Sequence, residues 1–178
     1  MEEWNAAFLR LAELGFRARQ SSDPELHAIA QRFVQAFGGH DDALMDEIYA
    51  EDVVLYSPLA WPVRGREALK AYVDEFHRGY PGLRVVLHDE FYSADGTRGC
   101  FRFVTHWRNG GSFFGHAATG QQGTQTETHS IRIRDGRIVE QWVGDNSFQM
   151  PYMDLVTWGM DFPRETPDPA PEVASAPA

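Results

Sequence analysis

The sequence predicts an α+β domain, helices first and an antiparallel sheet after them, on three observations. Apolar residues recur at three- and four-residue steps up to about His77, the period changes to two from Leu83 onward, and the period-two runs follow one another with no helical stretch between them. An alternating α/β sheet would interleave the two patterns. The 178 residues, 43% apolar and 13% aromatic, supply one hydrophobic core and hence one domain.

Trp4, Phe8, Leu11 and Leu14 fall on one face of an additional helix over residues 1–20, a face that needs something to cover. Asp23-Pro24 is an N-cap with proline at the first helical position. Leu26, Ile29, Ala30, Phe33, Val34 and Phe37 carry the apolar stripe until Gly38-Gly39 stops it. A short helix over 41–48 leads into a strand, Val53-Val54-Leu55-Tyr56, ended by Ser57-Pro58. Residues 65–77 are again amphipathic through Leu69, Val73 and Phe76, with Gly79 and Pro81 as stop signals. Strands follow at 83–92, 99–107, 123–134 and 137–143, with hairpin turns at Asp95-Gly96 and Asp135-Gly136. The four glycines of 109–122 lie between two strands, so that segment reads as a long hairpin loop rather than a phosphate cradle. The domain runs over 1–163. From 164 to 178 the chain is rich in Pro and Ala without apolar periodicity, which predicts a disordered, dispensable tail.

A formal net charge of −10 repels phosphate backbones and anionic lipid, which argues against nucleic acid and membrane as partners. The acidic start, Met1-Glu2-Glu3-Trp4, is unlike a signal peptide, no apolar run reaches the length of a membrane span, and the lone Cys100 has no partner for a disulfide. These features fit a soluble, cytoplasmic protein. Seven histidines raise the question of a metal, but no HxH, HExxH or paired Cys/His spacing is present, and none is expected to bind one.

The order of elements, with Tyr49-Ala50-Glu51-Asp52-Val53 entering a strand, Gly65-Arg66-Glu67 entering a helix and Tyr80-Pro81-Gly82-Leu83 before the long strands, resembles the nuclear transport factor 2 superfamily over residues 24–160. Phe113-Phe114-Gly115, Ala118-Thr119-Gly120, Ser130-Ile131-Arg132-Ile133 and the stretch from Asp135-Gly136 to Gln141-Trp142 are similar to its SnoaL-like polyketide (ester) cyclases. The resemblance implies a cone-shaped curved sheet wrapped around the helices with an internal pocket, a homodimer paired through the outer sheet face, and cofactor-free ring closure by intramolecular aldol reaction. In that family a carboxylate a few residues past the tryptophan is the acid/base, and Asp145 matches it. The family's pocket histidine falls here on Ile131, while His129, two residues earlier, shares its strand face. Ketosteroid isomerases of the same superfamily need catalytic groups where this chain has Ser57 and Phe33, and limonene epoxide hydrolases need an Arg-x-Asp pair absent around Thr105 and Trp107.

From spacing alone, Asp145 is a strand-end carboxylate capping a turn and His129 a satisfied core histidine. The resemblance makes Asp145 the base and His129 the donor that polarises a substrate carbonyl. Tyr56, Ser57, Ile131, Trp142 and Trp107 are then expected to bind a small apolar or polycyclic substrate. If Asp135-Gly136 is a two-residue turn, His129 lies opposite Trp142 and Ile131 opposite Glu140. On an unbroken strand Asp145 then points away from His129, so an extra residue or a strand end is expected at Val143-Gly144.

Overall fold

The computed structural model describes residues 23–57 and 60–144; the expected helix over 1–20, the tail, and Asp145 lie outside them. Helix α1 (Pro24–Gly39) begins where the Asp23 carboxylate accepts from the amides of Glu25 and Leu26, at 3.0 and 3.2 Å. Such a cap contributes about 1 kcal/mol. The left-handed residue that closes α1 is His40 (φ 55°), one position past the two glycines that were expected to stop the helix. Its ring stacks on His77, with centroids 4.3 Å apart, and its Nε2 pairs with Asp74. Asp41 caps the short α2 (Asp42–Ile48) in the same way as Asp23 caps α1.

Strands β1 (Tyr49–Ser57) and β2 (Ala60–Arg64) precede α3 (Arg66–Gly79), and β3 (Arg84–Tyr92), β4 (Arg98–Arg108), β5 (Gln122–Arg134) and β6 (Arg137–Val143) are the remaining elements among the described residues. They form one six-stranded, curved and unclosed sheet in the order β2-β1-β6-β5-β4-β3. The sheet is mixed, not purely antiparallel as expected, because β1 pairs with β6 in parallel (Leu55 with Gln141, Tyr56 with Trp142). β2 escapes the sequence reading because Pro62 interrupts it. Such a proline is tolerated only where no ladder bond is needed, and β2 is the edge strand. The concave face carries Phe101 and Phe103 of β4 and Ile131 and Ile133 of β5 against Ile29, Phe33 and Phe37 of α1 and Leu69, Val73 and Phe76 of α3. Burial of these side chains, at about 1.5–3 kcal/mol each, is the main force closing helices onto sheet.

The 109–122 segment is a hairpin loop, as expected, anchored by the fully buried Asn109. Its amide donates to the Gly79 carbonyl (3.1 Å) while its oxygen accepts from the Thr119 amide and hydroxyl. Phe113 fills the gap left by Gly79, where a Cβ would come within 2.8 Å of the ring.

The β5–β6 hairpin turns at Asp135-Gly136, both at positive φ (53° and 71°), the two-residue geometry expected. Its register differs from expectation by one residue. Val139 is extra on β6, so His129 lies opposite Val143, not Trp142, and Ile131 opposite Gln141, not Glu140. The physical reason lies in the side chains: an unbroken alternation that buries Ile138 would also bury Glu140. The bulge lets Ile138 stay in the core while Glu140 turns out to Arg132. It sits four residues before Val143, where β6 ends.

Candidate functional site

The inner face of β5 reads Gln125, Glu127, His129, Ile131, Ile133, a polar half followed by an apolar half. Glu127 and His129 of the polar half, together with Gln141 of β6, Leu55 and Ser57 of β1 and Tyr72 of α3, line a cavity of about 40 Å³. That is room for about three waters. Phe33, Phe37, Met45 and Phe76 supply its apolar wall.

Six polar side chains form one continuous hydrogen-bonded network across the sheet side of this cavity. The Tyr49 hydroxyl donates to Gln141 Oε1 (2.7 Å), and Gln141 Nε2 lies 2.7 Å from His129 Nδ1. His129 Nε2 lies 3.2 Å from Glu127 Oε2. Glu127 Oε1 accepts from Thr105 Oγ1 (2.8 Å) and from Gln125 Nε2 (2.9 Å). The side chains of Glu127 and His129 are 3% and 5% exposed. Edge contacts with Phe33 and Phe103, centroids 5.6 and 4.7 Å away, hold the imidazole plane. On the wall contributed by α3, Ser57 Oγ and the Tyr72 hydroxyl are 2.6 Å apart. Burial pushes the Tyr72 hydroxyl well above the ordinary phenol range, and the nearby Glu127 charge adds to this. Burial does the same to Tyr49, so both phenols hold their protons.

Of the residues singled out from sequence, His129 and Ser57 line the cavity. Ile131 is on the same face as His129 but deeper in the core. Tyr56 and Trp142 are on the outer face of the sheet, stacked with centroids 4.0 Å apart. The shifted register takes Trp142 out and brings Gln141 in. Trp107 closes the loop end of the core against Tyr80, centroids 5.7 Å apart, away from the cavity lining. Glu127, Gln141, Tyr49 and Tyr72 were not anticipated. The signal for Glu127 was present: the alternation that places His129 beside Ile131 and Ile133 also runs backward through 127 and 125. Among the described residues no three His, Cys, Asp or Glu side chains are grouped to hold a metal.

Among the described residues, a curved sheet wrapped on three helices around a small internal pocket has the fold of the nuclear transport factor 2 type. The SnoaL-like domain model matches residues 30–141, more than half of the chain, and the protein belongs to that family. Its fold is similar to that of a protein named as a SnoaL-like polyketide cyclase from Jannaschia sp. CCS1 (17% identity, 74% of this chain and 94% of that one, TM-score 0.65). It is also similar to IdmH of Streptomyces antibioticus, named as a polyketide cyclase (24%, 74% and 98%, TM-score 0.60). AclR of Streptomyces galilaeus, named as a hydroxylase, is a third (23%, 78% and 85%, TM-score 0.59). At these identities the likeness is one of fold. No curated protein matches the chain.

Proposed function

We propose that the protein is a cofactor-independent acid/base enzyme acting on an apolar carbonyl compound, by polyketide-type cyclisation (intramolecular aldol) or a related isomerisation or dehydration. The observation that carries this reading is the buried Glu127–His129 pair in an aromatic-walled cavity. Burying a polar chain of this kind costs several kcal/mol unless every group is satisfied, and a purely structural core would do as well with leucines. No Lys or Arg lines the cavity among the described residues, so the site suits a neutral ketone or ester rather than a carboxylate or phosphate.

Asp145 is the proposed acid/base partner on the family pattern. A polycyclic substrate needs on the order of 300 Å³. Admitting one requires the walls of the 40 Å³ cavity to move, and the flexible Met45 is the side chain best suited to yield. The alternative, a non-catalytic ligand-binding or dimerisation module, is favoured by Ile131 standing where the family has a histidine. The same reading includes a cytoplasmic homodimer paired through the outer sheet face, where Val86 and Phe91 are 49% and 56% exposed. Among the described residues no helix is long and apolar enough to cross a membrane.

Once a substrate is found, Asp145→Asn should keep the fold and lower the rate by about a hundredfold or more, with His129→Gln costing less. A fully active Asp145→Asn enzyme sinks the assignment of Asp145.

A further inference from the structure

Within the acid/base site proposed above, the partners of each atom decide which one can meet a substrate. A buried hydroxyl that donates to nothing costs about 1–3 kcal/mol. Among the described residues Gln141 is the partner of the Tyr49 hydroxyl, so Tyr49 donates to Gln141 Oε1. The amide is thereby oriented, and its Nε2 donates to His129 Nδ1. Nδ1 carries no proton. The imidazole proton sits on Nε2 and points at Glu127 Oε2. Both ring nitrogens of His129 are occupied, and neither is left to polarise a substrate.

The carboxylate is different. Among the described residues, Oε1 is filled by two donors, from Thr105 and Gln125, whereas Oε2 takes only the His129 proton and keeps a lone pair in a residue that lines the cavity. We infer that Glu127 is a further catalytic residue, the open proton acceptor of the pocket, and that His129, Gln141 and Tyr49 are positioning residues that fix and polarise it. This rests on the acid/base reading of the site. In the step it implies, a C–H bond α to the substrate carbonyl breaks and the proton passes to Glu127 Oε2. The electron pair stays on the substrate as an enolate, whose oxygen accepts a hydrogen bond from the Tyr72 hydroxyl, with Ser57 Oγ donating to Tyr72. Glu127 then returns the proton to the rearranged product and is again a carboxylate. The other titratable groups facing Glu127 are Tyr49 of β1, His129 of its own strand and Tyr72 of α3; α1 and β4 present Phe33, Phe103 and Thr105.

Two measurements test this. Long-range proton–nitrogen NMR of the histidine-labelled protein at neutral pH should show His129 protonated on Nε2 and bare on Nδ1. Tyr49→Phe should leave the proton on Nε2, because the Glu127 carboxylate can only accept. Glu127→Gln, whose new amide must donate to Nε2, should move the proton to Nδ1. A wild-type protein with the proton on Nδ1, or a tautomer unchanged in E127Q, overturns the assignment. The second measurement follows deuterium entering the α-carbons of butanone in heavy water. Wild type should exceed buffer, E127Q should lose about a hundredfold of that excess, and His129→Gln should lose less. Exchange that survives E127Q but is lost in Asp145→Asn overturns the role of Glu127 and leaves the acid/base reading standing. Exchange no faster than buffer in wild type overturns both.

Discussion

Two histidine–carboxylate pairs lie mostly out of water in this molecule, and they are built differently. His27 Nδ1 meets Glu90 Oε1 across 63 positions of sequence, from α1 to β3, and the Tyr92 hydroxyl ties the other Glu90 oxygen and the Leu26 carbonyl into the same knot. His129 and Glu127 are two residues apart on one strand. The first pair joins a helix to a sheet edge. The second joins nothing that the β5 backbone does not already join, and both of its residues line a cavity. Identical functional groups thus make a brace in one place and a site in the other, the difference being what their hydrogen bonds span.

The strongest way to break this comparison is at the brace. Glu90→Ala leaves His27 without its carboxylate and should lower unfolding stability by about 3–5 kcal/mol, read from the urea midpoint, with no change in chemistry at the pocket. A loss below about 1 kcal/mol would make the brace another surface ion pair. At the site the balance reverses. In Glu127→Gln the amide oxygen still accepts from Thr105 and Gln125, so the same titration should show a loss of about 1 kcal/mol while turnover collapses. A loss as large as that of Glu90→Ala would mean that this pair, too, is holding the fold.

The smallest effect comes from histidines in neither pair. Burial holds His77, His88 and His106 below the ordinary imidazole value, against the pull of the Phe37 carbonyl in the case of His77. Each takes up a proton more readily when unfolded. Their contribution to stability is therefore complete above about pH 6.5 and declines as pH falls from there through the lowered folded values. Thermal melts between pH 7.5 and 5 should show that decline, and His77→Gln should flatten it. A melting temperature that rises on acidification would reverse the sign.

Most of the scaffold was legible because its signals are local. Asp23 and Asp41 as caps, Asp135-Gly136 as a turn, and the change of period at Leu83 each depend on a few neighbouring residues. The parts that were missed depend on partners far away. Pro62 is compatible with a strand only because β2 is at the edge, and the Val139 bulge is chosen by what Ile133, Arg132 and β1 require of β6. The site suffered most from this. One inserted residue exchanges Trp142 for Gln141 on the cavity side, and with Gln141 comes the link to Tyr49. Glu127 was within reach of simple alternation, since it shares a face with His129, whereas no local pattern pairs Ser57 with Tyr72.

The parallel seam between β1 and β6 also sets a timetable. Tyr49 and Gln141, the two ends of one hydrogen bond, are 92 positions apart, and β6 lies between β1 and β5 in the sheet. A nascent chain emerging from the ribosome has its helices and first hairpin long before it has the strand that unites them, and at 5–20 residues per second that wait is on the order of 5–20 seconds. Until β6 slides into place, β1 and β5 each present an open edge, and Glu127 and His129 stand in water. Acquisition of the pocket thus waits for β6, and during that wait the open edges of β1 and β5 expose the nascent chain to mispairing with its neighbours.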